Sequence, residues 1–86
     1  MSNTLSYPEL AALIQARAGV VIDPGALERP GAAFDEFGVD SLGLLGVVGE
    51  LENRHGVKVT NGAESAKTPA EFLDLVNAAV TAKAGA

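Results

Sequence analysis

Ser41 is the side chain of this sequence whose setting most favours chemistry, and the chemistry favoured is attachment to a phosphate. Gly38 can take a positive φ angle, and Asp40 is a residue type that caps helices by accepting hydrogen bonds from the first free N–H groups. Ser41 is therefore predicted at the first helical position. There the unpaired N–H groups and the positive end of the helix dipole stabilise a phosphate carried on the hydroxyl, so the serine can anchor a phosphodiester. An Asp-Ser pair also starts many helices where only a satisfied N-terminus is at stake. The two residues alone do not separate these readings.

Other chemistry is poorly supplied. Ser41 and His55, with Glu52 nearby, are the types found in a hydrolase, but they lie fourteen residues apart on one predicted helix. That is about 21 Å along the axis, beyond the reach a nucleophile and its base require. His55 is the single histidine, and it reads as a half-buried side chain at the end of a core face. With no cysteine and no calcium-loop pattern among the carboxylates, no metal site is indicated.

The elements that position Ser41 follow from pattern and punctuation. Ser6 and Glu9 have capping-box spacing and Leu5 and Leu10 that of a hydrophobic staple, so a first helix starts at Tyr7. Leu10, Leu13, Ile14 and Ala18 line one face of it, and it should stop at Gly19. Pro24, Gly25, Pro30 and Gly31 then impose a long loop, pinned by Val21, Ile22, Leu27 and Phe34, with a short helical turn near Gly25 to Arg29. The helix after Ser41 groups Leu44, Val47, Val48, Leu51 and His55 on its core side and ends at Gly56. Leu42, Leu45, Gly46, Gly49, Glu52 and Asn53 fall on a neighbouring face. Three interior glycines (Gly43, Gly46, Gly49) cost on the order of 3 kcal/mol against alanine. Either close helix packing or a smooth track for a partner or tethered chain would account for them, with Gly46 expected further from the core than Gly49. Val57 to Val59 is extended, Asn61-Gly62 turns, and Ala63 to Ala66 makes a brief third helix. Thr68-Pro69-Ala70-Glu71 caps a last helix facing inward through Phe72, Leu73, Val76, Ala79 and Val80, with Ala84 to Ala86 frayed.

Composition sets the bounds. The 86 residues make one domain, 1–86, large enough for a single small core that buries about 60% of the unfolded surface. No membrane span or targeting segment is visible, and the lack of cysteine fits a reducing cytoplasm. Eleven acids against six bases argue against nucleic acid and for basic protein partners. Five of the acids (Asp35, Glu36, Asp40, Glu50, Glu52) lie between Pro30 and Asn53, where there is no Lys or Arg, so the excess charge is assigned to the serine loop and its helix.

The run Phe37-Gly38-Val39-Asp40-Ser41-Leu42, the helix closing in Leu51-Glu52-Asn53-Arg54-His55-Gly56, and Thr68 to Asn77 together resemble an acyl carrier protein over most of the chain. The resemblance is closest to the discrete carriers of bacterial type II aromatic polyketide synthases, of the spore-pigment kind in the run from Leu42 to Leu51. It implies an all-α four-helix bundle with three long helices, a short third helix and a long first loop, acting as a monomeric carrier and not an enzyme. It implies 4′-phosphopantetheine, drawn from coenzyme A, joined to Ser41 between Asp40 and Leu42, with malonyl and growing polyketide groups held as thioesters in antibiotic or pigment synthesis. Leu45, Gly46, Gly49, Glu50 and Glu52 would meet the partners. These would be a phosphopantetheinyl transferase, a ketosynthase with its chain-length factor, a malonyl transferase, a ketoreductase and cyclases. Gly46 departs from the acid many members have five residues after the serine, which leaves Glu50, Glu52 and the apolar track for docking. A carrier of fatty acid synthesis and an unmodified helical interaction module are the alternative readings.

Overall fold

The computed structural model describes residues 4–84. Helix α1, Tyr7–Ala18, begins where the Ser6 hydroxyl accepts the Glu9 N–H at 3.3 Å and ends at Gly19, whose φ of 74° gives the left-handed cap. Leu5 and Leu10, the two arms of the staple, are buried. Helix α2, Pro24–Glu28, occupies the stretch of loop expected to turn. A 3₁₀ turn over Phe34–Phe37, not foreseen in the sequence, leads to helix α3, Ser41–His55. The brief third helix is a single 3₁₀ turn, Ala63–Ser65. Helix α4, Pro69–Ala84, starts where the Thr68 hydroxyl accepts the Glu71 N–H and the Glu71 carboxylate accepts the Lys67 N–H. Of the fraying expected from Ala84 to Ala86, Ala84 is instead the last residue of α4, and Gly85 and Ala86 lie outside the described residues.

Helices α1 and α3 form the principal contact and run antiparallel. Ala18, at the end of α1, abuts Gly43 near the start of α3, whereas Glu9 near the start of α1 faces Arg54 near the end of α3 at 3.7 Å. Between these helices and α4 lies an apolar core of Leu10, Leu13, Ile14, Leu44, Val47, Leu51, Phe72 and Val76, with Phe34 meeting Phe72 edge to face at 5.9 Å. At the pole opposite Ser41, the Asn77 side chain accepts the Leu5 N–H at 2.6 Å and donates to the Leu5 carbonyl at 3.2 Å.

Two sequence expectations are corrected here. Val21 does not pin the first loop: it is 77% exposed, while Val20 and Ile22 on either side face the core. Ala18 lines the core face as expected, half-buried and packed against the core, with Ala11 buried on the same face. The order of exposure of the glycines is reversed. Gly46 is half-buried, with a side chain there falling 3.5 Å from Arg17 Cβ, whereas Gly49 is exposed with open space around it. A Cβ at Gly43 would stand 3.1 Å from Ala18 Cβ, a contact between two stiff helices, so this glycine sets their spacing.

The glycines should therefore separate in stability. Gly49→Ala is expected to raise unfolding free energy by about 1 kcal/mol, the helix preference alone. Gly43→Ala should lose stability, because overpacking costs about 1–3 kcal/mol against that same gain. Urea unfolding of the two variants checks the sign of each.

Candidate functional site

The surroundings of Ser41 are built by one reversal of chain direction. Gly38, at φ 74°, closes the 3₁₀ turn by donating to the Phe34 and Asp35 carbonyls. Val39 then donates to the Phe34 carbonyl at 3.2 Å, and both Val39 and Phe34 are buried. Two apolar anchors thus hold the segment down on the core just before the chain surfaces. Asp40 caps α3: its Oδ1 accepts the Gly43 N–H at 2.9 Å and its carbonyl accepts from Leu44 at 3.0 Å. Ser41 is the first helical residue, exposed, and neither its N–H nor that of Leu42 has a partner among the described residues. An anion on the Ser41 hydroxyl would meet those N–H groups and the positive end of a fifteen-residue helix, so the local chemistry fits a phosphodiester.

Beyond Ser41, one stripe of α3 faces outward. Leu42 is 75% exposed and Leu45 52%, and Gly49 continues the line. It runs to an open cleft of about 430 Å³ lined by Gly49, Glu52, Asn53, Gly56, Val57 and Lys58. Gly46, predicted on this face, is turned instead towards Arg17 on α1.

The acids do not form a bare negative face. Bases fold onto them: Arg17 of α1 and Arg54, one turn further along α3, both pair with Glu50, and Arg29 pairs with Glu36. Hydrogen bonds from Arg17 and Arg54 hold the Glu50 carboxyl below its usual range; for Glu36 the Ala33 N–H acts first and Arg29 second. Glu52 turns back on its own chain, accepting the Val59 N–H at 2.8 Å and so fixing the extended segment whose Val57 and Val59 are buried. His55 sits half-buried at the far end of α3 from Ser41, its Nε2 buried without a hydrogen-bond partner. The sequence did not disclose Arg17, thirty-three residues from Glu50, as its partner. The 3₁₀ turn left a faint signal in the three-residue spacing of Ala33 and Glu36, whose carboxylate accepts the Ala33 N–H at 2.9 Å.

Residues 8–76 match the phosphopantetheine attachment site family. A probable acyl carrier protein of Streptomyces coelicolor is 53% identical over 77 residues, covering 88% of this chain and 86% of that protein. The curamycin polyketide synthase acyl carrier protein of Streptomyces cyaneus is 50% identical, with 93% and 92% covered. In fold, the chain is similar to the solution structures of a 3,5-dioxohexyl carrier, a triketide mimic, from the actinorhodin polyketide synthase of Streptomyces coelicolor. The TM-score is 0.76 at 30% identity, covering 95% of this chain and 98% of that one. The chain belongs to the acyl carrier proteins of the polyketide synthase kind, which are carriers of phosphopantetheine and not catalysts.

The pairing of the acids gives a pH dependence with a definite sign. A carboxyl held low in the folded state contributes stability above its unfolded value, here 4.5, and loses it as pH falls through the lower folded value. Glu50→Gln removes that contribution, so its thermal midpoint should decline less steeply than that of wild type below about pH 4.5. Because the pairs are exposed, added salt should narrow the difference.

Proposed function

We propose that Ser41 is the residue to which phosphopantetheine is joined, and that the chain carries malonyl and growing polyketide groups as thioesters among the enzymes of a type II synthase. The observation that carries the first part is the exposed Ser41 hydroxyl at the capped start of α3, directly behind the αL glycine and Asp40. Attachment forms a bond from Ser41 Oγ to the β-phosphorus of coenzyme A. The bond from that phosphorus to the oxygen of adenosine 3′,5′-bisphosphate breaks, and the hydroxyl proton passes to a base of the transferase. The N–H groups of Ser41 and Leu42 stand ready for the phosphodiester, and Asp40 keeps the helix start from fraying by holding Gly43. The bound arm supplies a thiol; this chain supplies position.

The polyketide assignment is supported by the names its relatives carry, the curamycin and oxytetracycline synthase carriers of Streptomyces among them. We place the chain in the cytoplasm, as a monomer, meeting the ketosynthase and chain-length factor, malonyl transferase, ketoreductase and cyclases by way of Leu42, Leu45 and Gly49. Glu50 and Glu52, engaged within the chain, contribute their remaining lone pairs and field. No helix among the described residues is long and apolar enough to cross a membrane.

Intact mass spectrometry after incubation with coenzyme A and a transferase tests the reading. Wild type should gain one phosphopantetheine and Ser41→Ala none; an adduct on Ser6 or Ser65, or loading of Ser41→Ala, would refute it. Asp40→Ala should unfold more easily by about 1 kcal/mol, the usual value of an N-cap, and load more slowly because the serine is less firmly held.

A further inference from the structure

Val21 is an exposed valine with an architectural reason for its exposure. In an extended segment alternate side chains face opposite ways. Val20 packs on the core and Ile22 is buried, so Val21 between them is directed outward. The segment begins at Gly19, immediately after Ala18, whose Cβ stands 3.1 Å from where a Cβ on Gly43 would be. Three residues of chain span at most about 11 Å. Val21 therefore lies at the pole of the bundle that carries Ser41, together with Leu42 and Leu45. Single exposed apolar residues are ordinary, but Val21, Leu42 and Leu45 are the exposed large hydrophobic residues among those described, and they share one pole.

The charge at this pole is also distinctive. Asp23, Asp35 and Asp40 are exposed and enter none of the ion pairs of the described residues, whereas Arg17 and Arg29 are already paired. Lys67, whose carbonyl accepts the Phe34 N–H, enters no ion pair with them. A surface complementary to this pole is apolar at its centre and basic at its rim.

We propose that Val21, with Leu42 and Leu45, is the footprint of the enzyme that attaches the arm, which meets it with an apolar surface rimmed by Lys and Arg. The inference rests on Ser41 being the attachment site. The attaching enzyme alone must bring its reacting atoms to Ser41 Oγ; enzymes acting on the thiol at the far end of a flexible arm can stand off. A specific interface covers about 800 Å² on each partner, equivalent to a disc of radius about 16 Å. Centred on Ser41, such a disc extends past the Gly43 and Ala18 contact, in the direction of the segment that carries Val21.

The test is the initial rate of loading from coenzyme A, followed by intact mass against carrier concentration. Val21→Asp should raise KM about tenfold with kcat retained, as expected for loss of a buried valine contact. Val21→Met should load like wild type. Ala78→Asp adds the same charge on exposed α4, next to the Asn77 clasp at the opposite pole, and should also leave loading unchanged. Thermal midpoints should not move with Val21→Asp; if that variant does unfold, Val21→Ser should show the same KM effect at about threefold. Normal loading of wild type with an unaltered KM for Val21→Asp overturns the inference. So does a Val21→Asp protein that loads normally but fails only in transfer to a ketosynthase, which would give the patch to a later enzyme. Failure of wild type to load at all overturns the Ser41 reading instead, and the inference with it.

Discussion

The structure depends on the conflict resolved between Phe34 and Ser41, where the same short segment must be buried and exposed within a few residues. Phe34 and Val39 are pressed into the core, yet Ser41 stands free in solvent. A continuous helix could not do both at these positions, because Phe34 and Ser41, seven residues apart, would fall on the same face. The left-handed glycine breaks the run, Val39 anchors the return, and Asp40 starts α3 with a new phase. The fifteen residues that follow inherit that phase: Leu44, Val47, Val48 and Leu51 inward, Leu42, Leu45 and Gly49 outward. The surface offered to other proteins and the face packed on α1 are thus fixed by one helix start.

Charge is organised on the same principle of internal settlement before external use. Glu36 and Glu50, which in the linear sequence belong to an acidic stretch with no base, are answered in space by Arg29, Arg17 and Arg54. Exposed pairs of this kind are worth little individually. Their larger effect is on the map of the surface, because they leave Asp23, Asp35 and the capping Asp40 as acids near Ser41 outside the ion pairs of the described residues. A docking surface inferred from acids counted along the chain is therefore displaced from the middle of α3 towards the pole where the arm begins.

Local rules made most of the fold legible. The hydroxyl caps of Ser6 and Thr68, the staple, the glycine at 38 and the cap at Asp40 all involve residues within five positions of each other and stand as expected, whereas the reciprocal carboxylate bonds of the two capping boxes do not form: Glu9 faces Arg54 and Glu71 takes the Lys67 N–H. The phase of α3 followed from its apolar spacing. What failed to show were relations fixed only when helices meet. Gly46 and Gly49 were ordered wrongly because helical periodicity gives an angle but not the direction of the neighbour, and α1 lies on the Gly46 side. Val21 was taken as an anchor because hydrophobicity alone does not give the facing of a residue in an irregular segment. Ser41 itself was legible because its setting is wholly local.

The Asn77 amide, grasping both polar groups of the Leu5 backbone, joins positions seventy-two residues apart. Closing a chain loop of that length is entropically costly, though the cost grows only logarithmically. The clasp also stands at the end of the bundle remote from Ser41. Substitutions around it and substitutions around Ser41 share no neighbours, so their energetic effects should add. Durability and recognition in this carrier can then drift separately under selection: a lineage can acquire a tighter or looser fold at one pole while the other stays matched to the enzymes it serves.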